Sequence, residues 1–91
     1  MKNLKYFVYI LYSSSLDKFY VGVSKDPEKR LLFHNAGKAG PRAFTKRATD
    51  WGIKWLMSCE NKEIAIKVER KIKNRKSRKY IEGLVERAIG L

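Results

Sequence analysis

The chain has 91 residues, with 21 Lys and Arg against 9 Asp and Glu, a formal charge of +12. That length suits one domain over residues 1–91 with a modest core, and 44% hydrophobic residues exclude a disordered chain. So large a positive excess repels itself in a compact fold unless an anionic partner relieves it, and nucleic acid is the commonest such partner.

A single cysteine, Cys59, and a single histidine, His34, exclude an internal disulfide and a Cys/His zinc site built within one chain. The amino-terminal run Tyr6 to Tyr12 is short for a signal core, β-rich in character, and lacks a small-residue cleavage site. No stretch approaches the roughly 20 apolar residues of a membrane span. These features predict a cytoplasmic protein.

In chain order, Tyr6 to Tyr12 is β-branched and aromatic and reads as a strand buried on both faces. "SSSLDK" is a polar turn, and Phe19 to Ser24 is a second strand, so the two form a hairpin. Asp26 before Pro27 is a helix start, a capping carboxylate followed by proline at the first helical position. This helix runs to about Asn35 and stops near Gly37. A long basic loop, "GKAGPRAFTKRATD", follows. Ile53, Trp55, Met57 and Cys59 alternate with Lys54, Leu56 and Ser58, the period of a third strand. A helix begins near Asn61 with Ile64, Ala65, Val68 and Ile72 as its apolar stripe, and "NRKSRK" interrupts it. Ser77 caps a last helix whose Ile81, Leu84, Val85, Ala88 and Ile89 share one side. The order β-β-α-β-α-α predicts an α+β fold, a small three-stranded antiparallel sheet flanked by helices.

Pairing Tyr12 with Phe19 across the turn sets Tyr9 opposite Gly22 and Leu11 opposite Tyr20. Tyr9 and Tyr20 then project diagonally from one face, with Gly22 leaving an open floor for a ligand backbone, or simply marking a bulge beside strand aromatics. On the first helix Arg30 and His34 are i and i+4 and share a face, with Phe33 beside them and Leu31 and Leu32 toward the core. That face carries no acid. It is either a solvated surface or a phosphate site, with Arg30 as a planar fork and His34 as donor or proton carrier. Glu69 has Ala65, Ile66 and Ile72 among its helical neighbours, so its carboxylate needs a cation, either Lys73 or a bound metal. Glu60, Glu63, Glu82 and Glu86 read as ordinary exposed charges.

"RKIKNRKSRK", Arg70 to Lys79, carries seven positive charges and no acid. Its Arg70, Lys73, Arg75, Lys76, Arg78 and Lys79 join Lys38, Arg42, Lys46 and Arg47 of the loop as a track for a phosphate backbone. Phe44 and Trp51 nearby are packing residues or platforms for bases.

Together these pieces resemble the GIY-YIG nuclease domain. In that family two tyrosine motifs lie on neighbouring strands. "FVYIL" stands in the place of the first, and "YVG" matches the second. Arg30 falls where the family carries an arginine on the next helix, His34 one turn later, and Glu69 where a glutamate follows the third strand. The likeness spans most of the chain and is nearest to the small stand-alone bacterial branch. Phe7 departs from the pattern, which has glycine there, and a downstream asparagine used by some members has no match, Asn74 being poorly placed.

The resemblance implies phosphodiester hydrolysis assisted by one divalent cation at Glu69, Mg²⁺ or Mn²⁺, since a single carboxylate cannot hold a two-metal clamp. It implies Tyr9 as the group that helps deprotonate the attacking water and Tyr20 as orienting it or sharing the role. Arg30 would stabilise transition-state charge, and His34 would position the nucleophile or a phosphate oxygen. The implied activity is a DNA endonuclease of repair or recombination, selecting DNA by shape or through a partner protein. A DNA- or RNA-binding module that keeps the fold without turnover is the alternative, and a protein docked on ribosome or nucleoid is a third reading.

Overall fold

The computed structural model describes residues 5–37 and 44–89. Strand β1 (Tyr6–Ser13) is central, flanked by β2 (Lys18–Ser24) and β3 (Trp51–Cys59), both antiparallel to it, in the order β2-β1-β3. Helix α1 (Pro27–Asn35) follows β2. A single 3-10 turn, Phe44–Arg47, precedes β3, and α2 (Lys62–Asn74) and α3 (Arg78–Ile89) complete the order. The predicted α+β arrangement is the observed one. Lys38 and Arg42 of the expected basic track lie outside the described residues, as do the side chains of Phe44, Ala88 and Ile89.

Local chemistry explains the boundaries. Asp26 accepts the Lys29 amide at 3.2 Å, Asn61 accepts that of Ile64 at 2.9 Å, and Ser77 accepts that of Tyr80 at 3.1 Å. Each side chain satisfies an amide that the first helical turn leaves open. Gly37 ends α1 in the left-handed region (φ 71°), donating to the His34 carbonyl at 3.1 Å. Lys76 takes the same conformation (φ 49°) and separates α2 from α3.

The hairpin register is the one the sequence predicts, with Tyr9 opposite Gly22, Leu11 opposite Tyr20 and Tyr12 opposite Phe19. Because side chains alternate along a strand, β1 supplies two cores. Val8 and Ile10 face α2 and α3, joining Val21, Cys59, Ala65 and Ile72. Tyr9 and Leu11 face the other way, with Ala48 and Trp51, against Leu31 and Ile53.

Two expectations need correction. The even alternation of β3 fails because Ile10 pairs with Trp55 while Leu11 pairs with Ile53, which leaves Lys54 as an extra residue. This bulge turns Ile53 onto the face opposite Trp55, and Met57 is left 40% exposed on the edge strand. On α1 the inward face is not the pair of leucines. Pro27 and His34 are buried, Leu31 packs inward, and Leu32 is 69% exposed. Positions 27, 30, 31 and 34 form the i, i+3, i+4, i+7 face, and Leu32 is rotated a full step away from it.

Two long-range clasps hold this frame. Asp50 accepts from Ser13 Oγ at 2.6 Å, the Ser15 amide at 2.9 Å and the Ser14 and Ser15 hydroxyls at 3.1 Å, tying the hairpin turn to the approach of β3. Those donors, Ser13 first, hold its carboxyl down at about 2. Asn35 bridges the Trp51 backbone, accepting from its amide at 2.7 Å and donating to its carbonyl at 3.0 Å, which fixes the end of α1 against β3. Among the described residues no helix is long and apolar enough to cross a membrane.

Candidate active site

Tyr9 sits in the middle of the central strand and is 1% exposed. Its ring lies across Gly22: a β-carbon there would stand 2.5 Å from Tyr9 Oη and 2.6 Å from Cζ. The glycine is needed at this point, but the floor it opens is occupied by Tyr9 itself rather than left for a ligand. Tyr9 Oη then meets His34 Nε2 at 3.2 Å, and His34 Nδ1 meets Thr45 Oγ1 at 2.6 Å. Tyr20, from the edge strand, lies against the same imidazole with ring centroids 5.1 Å apart.

Arg30, on the inward face of α1, stands near enough to Tyr9 to act on its phenol, favouring the charged form. Glu69 lies near enough to act on Tyr9 as well. It pairs with Lys73 at 3.1 Å, and Lys73 Nζ stands 5.9 Å from the centre of the Tyr20 ring. Tyr9, Tyr20, Arg30, His34 and Glu69 thus converge from β1, β2, α1 and α2, although they are spread over sixty residues of sequence.

Electrostatics set the state of the cluster. Burial pushes the Tyr9 phenol above its ordinary 10.0, and the neighbouring Tyr20 adds to this; Arg30 pulls the other way. Desolvation outweighs the lowering by Arg30. Burial, then the Arg30 charge, push His34 below 6.5, so the imidazole is neutral at pH 7. His34 is 1% exposed with both ring nitrogens engaged by protein groups. It therefore lies behind Tyr9 rather than on a solvated helix face.

Glu69, with its side chain 20% exposed, is the carboxylate beside the tyrosines. Among the described residues no three His, Cys, Asp or Glu side chains gather as a metal cage. A single carboxylate already matched to a cation fits an ion of the Mg²⁺ kind, which takes few protein ligands and fills its shell with water and phosphate oxygen. The contact with Lys73 is also the ion pair that the sequence offered as the simpler account of Glu69.

The helical part of the basic track, Arg70, Lys73, Arg75, Lys76, Arg78 and Lys79, is exposed throughout. Within it Arg78 pairs with Asp17 at 2.6 Å and Glu82 at 2.9 Å, and Arg75 stacks on Tyr80 at 4.3 Å. An open pocket of about 410 Å³ between β2 and the α2–α3 junction is lined by Lys18, Tyr20, Lys73, Lys76 and Arg78 over an apolar floor that includes Ile72. It shares Tyr20 and Lys73 with the cluster. Lys46 and Arg47 are exposed on the 3-10 turn whose Thr45 touches His34. Trp51 is buried, its indole donating to the Thr45 carbonyl at 2.8 Å, so it is a packing residue. Thr45 itself, fully buried at the back of the cluster, has no signature in a basic loop and was not singled out by sequence.

The family model of the GIY-YIG catalytic domain matches residues 5–81, which include every residue of the cluster. No curated protein and no solved structure matches the chain. With that match covering most of the sequence, and the tyrosines, arginine and glutamate brought to one place, this chain belongs to the GIY-YIG nuclease superfamily.

Proposed function

We propose that the protein is a metal-dependent endonuclease that hydrolyses DNA phosphodiester bonds, selects its substrate by DNA structure, and serves repair or recombination in the cytoplasm, as a bacterial member of its family. The observation that carries this reading is the convergence of Tyr9, Tyr20, Arg30 and Glu69, with His34 behind them, from four separate elements. A basic protein that only coats DNA has no need of a buried tyrosine seated on a glycine.

Glu69 would hold the divalent cation, Mg²⁺ or Mn²⁺, whose Lewis-acid charge supports the scissile phosphate. Lys73 meets Glu69 at Oε2, which leaves the other carboxylate oxygen for the ion. Tyr9, once its phenol has given up its own proton to solvent, is the proton acceptor for the attacking water, and Tyr20 orients that water. Arg30 serves twice, stabilising negative charge on Tyr9 and on the phosphate as it develops. His34 holds Tyr9 in place from behind. Lys46, Arg47, Arg70, Lys76 and Lys79 position the backbone without reading bases, which favours selection by shape.

A second reading, a DNA- or RNA-binding module without turnover, is favoured by Phe7. This half-buried side chain takes the place of the motif glycine two residues before Tyr9. The two readings separate when labelled duplex, single-stranded, flapped and four-way-branched DNA are incubated with Mg²⁺, Mn²⁺ or chelator. Cleavage that requires metal and disappears in Glu69→Gln supports the nuclease. Salt-sensitive binding that leaves every substrate intact supports the module.

A further inference from the structure

Neutral His34 has one N–H and must place it on Nδ1 or on Nε2, and the two choices give Tyr9 opposite roles. With the proton on Nδ1, Nε2 would accept the Tyr9 O–H, and Tyr9 would pass protons inward to histidine. With the proton on Nε2, His34 donates to Tyr9 Oη, and the phenol keeps its own proton for the open side.

Thr45 decides between them. Its hydroxyl is fully buried, and among the described residues His34 Nδ1 is its side-chain partner. A buried hydroxyl that finds no acceptor is costly. Were Nδ1 protonated, Thr45 Oγ1 would accept from it, and its own proton would be left in the interior with no acceptor among the described residues. The distances, 2.6 Å between Nδ1 and Oγ1 and 3.2 Å between Nε2 and Tyr9 Oη, are compatible with a hydroxyl donor at the first and a ring N–H donor at the second.

We propose that Thr45 is a positioning residue that fixes His34 in the Nε2–H tautomer, so that His34 donates to Tyr9 Oη and turns the Tyr9 hydroxyl proton toward the site. The groups facing this histidine and tyrosine are Tyr20 from β2, Arg30 from α1 and Glu69 from α2. The Arg30 charge, like the His34 N–H, favours the deprotonated form of this phenol. Tyr9 then loses its own proton through the open side, not to the imidazole, and only the phenolate so formed can take a proton from the attacking water. The tautomer stands by itself, while its consequence for turnover rests on the nuclease reading above.

The chain has one histidine, so a nitrogen-15 spectrum of the uniformly labelled full chain, free of DNA and metal at pH 7, contains a single imidazole. The expected spectrum has a protonated Nε2 and an unprotonated Nδ1. A protonated Nδ1, or protons on both nitrogens, overturns the proposal. Thr45→Val keeps the shape, removes the hydroxyl and should leave a mixture of tautomers; Thr45→Ser should keep the wild-type spectrum. A wild-type spectrum in Thr45→Val means that something other than Thr45 sets the tautomer, and the proposal fails. Should Thr45→Val not fold, wild type and Thr45→Ser decide, since both must carry the Nε2 proton. In cleavage assays Thr45→Val should lose about 10–100-fold in kcat with KM unchanged, as an outer-shell partner does, and Thr45→Ser should restore it. If the protein cuts nothing, the nuclease reading falls and the spectrum still judges the tautomer.

Discussion

The two faces of the sheet are built on different principles. The face toward α2 and α3 is an apolar core in which Val8 and Ile10 of β1 meet Val21, Ala65 and Ile72. Of the side chains fully buried toward α1, Tyr9, His34, Thr45 and Ser13 carry polar atoms, each with a hydrogen-bond partner. One strand serves both, because its alternate residues point opposite ways. The apolar face can hold the fold while the polar face bears buried groups and a charged neighbour such as Arg30. A domain this small has little stability to spare, and dividing the labour between faces lets it carry a buried polar cluster.

Exchanging the roles is the way to break this comparison. The largest effect is expected from Tyr9→Phe, which removes the proposed proton acceptor and should lower the cleavage rate by about 10²–10⁴-fold. Its thermal unfolding should move only modestly, because one hydrogen bond is lost. On the other face Ile10→Ala should do the reverse. It deletes fully buried methyl groups and should cost about 2–5 kcal/mol in denaturant unfolding, while the molecules that stay folded keep a near-normal rate per active site. Equal losses of rate and stability in both variants would contradict the division.

Gly22→Ala sharpens the comparison, since it changes neither a catalytic group nor the apolar core. The new methyl would collide with the Tyr9 ring, whose Oη and Cζ are rigidly joined and cannot yield separately. A displacement near 1 Å is enough for about a 10²-fold loss of kcat, readable beside an unchanged circular dichroism spectrum.

The smallest effect is on pH dependence. Folding holds His34 below 6.5 and Asp50 at about 2 against 3.8, so in both cases the unfolded chain binds more protons. Stability contributed by neutral His34 is complete above pH 6.5 and declines as pH falls through its folded value. That from the Asp50 clasp is complete above about pH 4 and is lost as pH falls through about 2. Asp50→Asn should flatten the second decline and leave the first, which thermal melts across pH would reveal.

Much of the frame is legible in the sequence because it rests on local rules. Asp26 with Pro27, Asn61 and Ser77 announce their helices, and pairing Tyr12 with Phe19 across the polar turn gives the hairpin register. Contacts that depend on distant partners are not legible. Nothing in "SSSLDK" points to Asp50, and nothing in the basic loop points to Thr45. The α1 helix misleads in a more instructive way. Counting apolar residues puts Leu31 and Leu32 inside, yet Arg30 and His34 share the inward side with Leu31, because the sheet offers them Tyr9 and Tyr20. The Lys54 bulge likewise has no local mark, since the alternation of β3 looks unbroken until it is paired.

The most direct test of the central claim is the Mg²⁺-dependent cleavage rate of four-way-branched DNA by Glu69→Gln set against wild type, with both proteins verified folded by thermal melting. The account predicts that wild type cuts, that the variant does not, and that their melting temperatures nearly coincide, because the Glu69–Lys73 pair is a partly exposed helix contact worth about 0–1 kcal/mol. A variant that cuts as well as wild type would contradict it, and so would a folded wild type that binds the DNA and leaves it whole.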